Sequence, residues 1–265
     1  MKNTKKLKRA IENADKKSLT VYIVVRFLII VCLIMQIIHK EWNNAFLCLL
    51  TLILITMPFT FEKHFKIELP NTLEAIIIIF IFAAEILGEI NNFYNTFKHW
   101  DTMLHTLNGF ICAGIGFSLV DLLNKNSKKI NLSPAYLLLV SFTFSMTIGV
   151  MWEFCEYTMD KVFLMDAQKD HQITTISSTY LNEFGENKSV ILKDIEYTKI
   201  YSQDEDGNLV ETTVGGYLDI GLNDTMKDLL VNFLGAIIFN LIAYLYIKNN
   251  QKWQFVEGFI PTKTN

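Results

Sequence analysis

Six stretches of this chain are each predominantly apolar and about 20 residues long, the length that carries an α-helix across a bilayer. They cover residues 19–39, 44–61, 71–90, 100–123, 134–157 and 224–247. Inside hydrocarbon each backbone N–H and C=O must find its partner within the protein, which makes helix the form such runs take. A soluble domain does not carry six of them. The second run is the shortest and ends near Pro58, so a tilted or broken helix is expected there. The fold class that follows is an all-α membrane protein, a polytopic bundle of six transmembrane helices with a small extracytoplasmic loop containing a β-hairpin.

Composition agrees with this and removes some alternatives. The chain is 51% hydrophobic and 13% aromatic, with a mean hydropathy of +0.27. A net charge of −3 is too small to select a partner, so the position of the charges matters more than their sum. No Gly-rich phosphate loop and no basic patch is present, which excludes ATP hydrolysis by this chain alone and a nucleic-acid partner. Cys32, Cys48, Cys112 and Cys155 all lie within the apolar runs, and none has a second cysteine at ligand spacing. A zinc ribbon, a CxxC redox pair and a disulfide framework are therefore absent from the pattern.

Lys and Arg near the helix ends set orientation. Seven of them precede the first run, Lys63 and Lys66 follow the second, and Lys125, Lys128 and Lys129 follow the fourth. Lys248, Lys252 and Lys263 lie in the tail, whereas the first and third turns carry only Lys40 and Lys98. The expected layout is a cytoplasmic segment 1–18, helices one to five within 19–159, an extracytoplasmic loop 160–223, helix six at 224–247 and a cytoplasmic tail 248–265. Both termini face the cytoplasm of a bacterial cell, in its plasma membrane. The loop holds twelve acidic residues and five lysines and is too polar to span. Within it, two β-patterned runs flank Asp206-Gly207, a hairpin signal. The acids around that turn lack the spacing and terminal Glu of a calcium loop.

With this topology, ionisable residues from three helices reach the same membrane depth. The fourth run opens with HWDTMLHTLNGF, placing Asp101 and His105 one turn apart. The fifth ends in MWEFCEYTMD, with Glu153, Glu156 and Asp160, and the sixth opens with NDTMKDLLVNFLGA, with Asp224 and Asp228. Such residues are costly in a bilayer and mark function by default. Residues three or four apart share a helix face. Asp101, His105, Gly109, Cys112 and Gly116 form one stripe; Ser145, Gly149, Glu153 and Glu156 form a second; Asp224, Asp228, Asn232 and Gly235 form a third. The small residues in each let helices approach closely, so the three faces are expected to pack with their charged ends forming a pocket.

Carboxylates crowded in a partly dry pocket cannot all stay ionised without a counter-charge. With no Lys or Arg expected among them, protonation or a bound cation is required. Carboxylates with one imidazole suit Zn, Mg, Mn or Fe, and helical bundles build such sites from inward Glu and His. A divalent metal ion held by Asp101, His105, Glu153, Glu156, Asp224 and Asp228 is the expected site. Against this, Asp101 and Asp224 sit at helix starts, where an acid caps free N–H groups with no ligand involved. Glu85 and Glu89 near the end of the third run, and Asp166, Gln168 and Asp170 after the fifth, are secondary candidates. Trp100, Trp152 and Tyr157 fit an interfacial aromatic belt.

These blocks resemble the YjdF-like bacterial inner-membrane family: WDTMLH before a Gly-containing helix, then WEFCEY, then NDTMKD before NFLGA. The similarity covers the third to sixth runs, and the same order of blocks looks distantly like VanZ-like membrane proteins. Thr225-Met226 departs from the Gln-containing step of the family pattern, and the polar loop is unusually long. A family without an assigned activity implies a fold and a pocket, not a reaction. One reading is metal-assisted hydrolysis or transfer on a lipid-linked or envelope substrate, with Glu153 or Glu156 as general base. The alternatives are a cation or proton-coupled transporter, and a structural or sensory protein whose metal staples helices. The bilayer is the one partner the pattern requires, and oligomeric state is not encoded legibly.

Overall fold

The computed structural model describes residues 16–65, 67–126, 131–249, 254–259 and 262–263. Among them, five helices are long and apolar enough to cross a membrane. α1 (Lys16–Ile38) leads through Lys40 to α2 (Trp42–Leu54) and α3 (Met57–Phe65). The expected weakness near Pro58 appears as a turn at Ile55 and Thr56, with the proline in the first turn of α3, where its missing N–H costs nothing. A two-residue strand β1 (Ile67–Glu68) precedes α4 (Asn71–Ile81), which runs straight into π-helical turns at Phe82–Ile90. The third apolar run therefore does not form one long α-helix. It is two short helical pieces of different pitch, so only five of the six expected spans are shown.

After the short α5 (Phe93–Thr96) come the two longest elements, α6 (Trp100–Asn126) and α7 (Pro134–Phe163). The polar loop follows with β2 (Gln172–Ile173), β3 (Ile176–Ser178), β4 (Val190–Leu192), β5 (Tyr197–Gln203), β6 (Leu209–Gly215) and β7 (Tyr217–Leu218). α8 (Leu222–Lys248), α9 (Gln254–Glu257) and β8 (Thr262–Lys263) end the chain.

The contacts group the chain into two units. The first takes in residues 1–149 and 229–265. One core joins α1, α2, α4 and the π-helical turns through Val25, Ile29, Cys48, Ile55, Ile78 and Ile86. A second surrounds α6 and includes Leu73, Phe117, Leu137, Phe239, Val256 and Phe259. Its aromatic centre is Phe110, Phe239 and Phe259, packed edge to face. The Ser118 hydroxyl donates to the carbonyl oxygen of Phe259, and β1 pairs antiparallel with β8, so the described part of the tail is built into this core. α6 is the central helix: 56% of its most apolar window is buried, against 11–33% for the other spans. Their exposed faces are apolar, as lipid-facing surface requires.

The second unit, residues 150–228, holds the polar loop. Its strands form separate two-stranded ladders: β2 with β7, β3 with β4, and β5 with β6. The β5–β6 hairpin pairs Tyr197 with Gly215 through Gln203 with Leu209. At its tip the Asp204 carboxylate accepts from the N–H groups of Asp206 and Asn208, and Gly207 takes φ +81°. The Asp204 carboxylate serves the turn.

Candidate metal centre

The site rests on an unusually close crossing of α6 and α8. A Cβ built on Gly109 would lie 2.0 Å from the backbone oxygen of Asn232, and one built on Gly235 would lie 2.0 Å from that of Thr106. Only glycine at both positions allows this approach. α7 joins through hydroxyls: Ser145 donates to the Gly109 carbonyl at 2.8 Å and Ser141 to the Ala113 carbonyl at 2.8 Å. Such bonds hold membrane helices where hydrocarbon offers no alternative partner. Asn232, 1% exposed, is the shared polar residue. Its Oδ1 accepts from Asn108 Nδ2 at 3.1 Å, and its amide packs where a Gly149 Cβ would stand, at 2.8 Å.

Helical periodicity carries this register one turn further. His105 lies one turn before Gly109, and Asp228 one turn before Asn232. Asp101, His105 and Asp228 each present one ligand atom, and the three atoms lie within 4.8 Å of one another. His105 Nε2 stands 3.4 Å from Asp101 Oδ1, and Asp228 is buried. Ligands sharing a small divalent ion at about 2.0–2.2 Å stand about 3–4 Å apart.

The other expected ligands have different surroundings. Asp224 Oδ2 accepts from the Lys169 N–H at 2.9 Å, so this carboxylate clasps the loop after α7. Asp160 does the same for the N–H groups of Ala167 and Gln168, and Gln168 donates through Nε2 to the Thr225 hydroxyl. Glu156 Oε1 accepts from Trp152 Nε1 at 2.7 Å, an i,i+4 bond on α7, and Glu153 is buried at 5% exposure. Neither belongs to the group of three. Glu85 and Glu89 lie on the π-helical turns, half-buried and exposed respectively, outside that group. Asp170 is exposed, and its carboxyl is pushed up first by partial burial and then by the charges of Asp166, Asp219 and Asp160.

One premise of the sequence reading is overturned. A cation does sit among the acids: Lys227 Nζ lies 3.5 Å from Asp224 Oδ1 and 3.6 Å from Asp228 Oδ1. It stands inside NDTMKD, and its long stem brings the ammonium between the carboxylates three residues before it and one residue after it. Asn108 was also missed. Three residues after His105 on the same face, it was legible from spacing but carries no charge to draw notice.

A family model described as a predicted membrane protein, DUF2238, matches residues 20–249. An uncharacterized protein of Thermotoga maritima is 29% identical over 105 residues, 40% of this chain and 53% of that protein. The chain thus spans about half the length of this curated relative. No solved structure matches it. A match that takes in nearly the whole chain, including all three acidic blocks, settles the family: the chain belongs to the predicted membrane proteins of the YjdF-like DUF2238 family.

Proposed function

We propose that Asp101, His105 and Asp228 bind a divalent metal ion in an acidic pocket at the extracytoplasmic end of a six-span bundle. The observation that carries this is the convergence of their three ligand atoms within 4.8 Å. In this reading both termini are cytoplasmic, the membrane is the bacterial plasma membrane, and the 71–90 segment supplies the sixth span. The ion supplies Lewis acidity or an activated water, and the reaction class is hydrolysis or transfer on an envelope or lipid-linked substrate. Glu153 and Glu156 are the candidate general bases. Lys227 supplies a cation suited to a phosphoryl or carboxylate group on the substrate.

Metal content of the purified protein tests this directly. Zinc, manganese, iron and magnesium are measured per chain for the parent and for Asp228→Asn and Glu156→Gln. The expected result is a metal retained by the parent and by Glu156→Gln and lost in Asp228→Asn. A parent that never holds metal, even when purified with each ion present, would remove the proposal.

Lys227 favours a second reading, in which its ammonium is itself the counter-charge and the acids form a helix staple without metal. In that case Lys227→Met destabilises the protein and added metal restores nothing. A metal site predicts the reverse, since removing a competing cation strengthens divalent binding.

A further inference from the structure

We infer that residues 163–165 and 220–222 insert into the lipid leaflet and fix how deep α7 and α8 sit in the bilayer. Two backbone positions carry the argument. α7 ends in a hydrogen bond from the Met165 N–H to the Met159 carbonyl, six residues back, with Leu164 between at φ +53°. The bond reaches one residue further back than the closing bond of a standard glycine cap, but the left-handed position it encloses is one where glycine is the default, because any Cβ is crowded there. Leucine carries that cost, yet its side chain is 88% exposed and recovers nothing from the protein. Just before α8, Ile220 repeats the pattern at φ +57° and 68% exposure; a β-branched residue in this region is a clear outlier.

Among the described residues, the other non-glycine residues with positive φ are Lys40, Asn92 and Asp194, all polar, as water-facing turns require. Lys40 and Asn92 also lie beside helix ends but are polar; Leu164 and Ile220, beside the ends of α7 and α8, are the two apolar ones. Phe163 and Met165 beside Leu164, and Leu222 beside Ile220, are exposed as well. The loop they border is pinned by its own carboxylates, Asp160 on Ala167 and Gln168, and Asp219 on His171 and Asn223. The apolar tips are thus continuous with the lipid-facing surfaces of α7 and α8, and lipid is the partner that repays both the strain and the exposure.

This sets a depth for the acids. At 1.5 Å per residue, Asp228 lies about 9 Å along α8 from Leu222, and Glu153 about 15 Å along α7 from Phe163. Both carboxylates then sit below the leaflet surface rather than at the water line. The inference does not depend on whether an ion is bound.

Nitroxide labels read the depth in proteoliposomes. Leu164→Cys, Ile220→Cys and, as an aqueous reference on the hairpin, Leu209→Cys are labelled in a background with Cys32 and Cys155 changed to Ala. Labelled native Cys155, exposed on α7, is the lipid reference. At 164 and 220 the label is expected to collide several-fold more with oxygen than with a water-soluble nickel chelate, as at 155, with the order reversed at 209. Labels at 164 and 220 that behave as at 209 overturn the inference. Low collision with both probes also overturns it, since that places another protein surface on these residues. Met165→Cys and Leu222→Cys repeat the measurement if the first variants do not fold.

Discussion

Replacing Gly109 by alanine adds one methyl group at the tightest point of the helix crossing. The added Cβ would stand 2.0 Å from the Asn232 oxygen, 2.7 Å from its carbonyl carbon and 2.9 Å from its Cα, all backbone. Real Cβ atoms essentially never come within 3.0 Å of such neighbours, so α6 and α8 must part by about 1 Å. No side chain can turn aside to absorb this. Overpacking of this kind costs about 1–3 kcal/mol. Parting the helices also strains the Asn108–Asn232 bond and the Ser145 bond to the Gly109 carbonyl. Each of those contributes about 0.5–1.5 kcal/mol. Together the loss is about 4 kcal/mol, and at about 2–4 °C per kcal/mol the midpoint falls by about 10 °C. Thermal unfolding in detergent measures it, with Gly185→Ala as reference. Gly185 takes φ +65° with nothing within 4 Å of a built Cβ, so alanine there meets only the backbone cost of about 1 kcal/mol. A Gly109→Ala midpoint within about 2 °C of the parent would refute the argument that glycine sets this crossing.

Two predictions concern the polar loop and follow from signs of titration. Asp204 is held below the usual carboxylate range, chiefly by the Asn208 N–H and also by the Asn208 side chain and the Asp206 and Gly207 N–H groups. It therefore supports its turn above the ordinary carboxylate pKa, and that support fades as pH falls through the lowered folded value. Amide exchange at Asp206 and Asn208, corrected for intrinsic rates, should lose protection there, and Asp204→Ala should lack it at neutral pH; equal protection at pH 7 and in strong acid contradicts this. Asp170 has the opposite sign, because its ionised form is disfavoured in the native loop. Asp170→Asn should stabilise the chain at neutral pH and be neutral below the ordinary carboxylate pKa, where both forms carry a proton. A destabilised Asp170→Asn at pH 7 would show that its charge is needed.

Much of the site was legible because it is local. Asp101 and His105 share a helix face by spacing alone, as do Asp228, Asn232 and Gly235, and the small residues on these faces signal close approach. The third run differs from the other five for a local reason as well: length and hydropathy do not register a change of pitch, and Phe82–Ile90 winds as π-helix. Capping gave an incomplete account of Asp224. It does bind a backbone N–H, but that of Lys169, 55 residues away. Lys227 stands inside NDTMKD, but spacing alone does not tell an ammonium that pairs with its neighbours on the helix from one left in solvent.

The sequence by itself determined the membrane class, the positions of five spans and a set of acids that could meet, since hydropathy, period and charge are properties of short stretches. Only the tertiary structure decided which of them do. Asp224 and Asp228 are one turn apart on α8, yet one clasps a loop and the other joins Asp101 and His105. That choice follows from the register of α8 against α6, set where Gly109 admits the Asn232 backbone and Gly235 admits that of Thr106. Register is a relation between distant segments, and no stretch of one helix contains it.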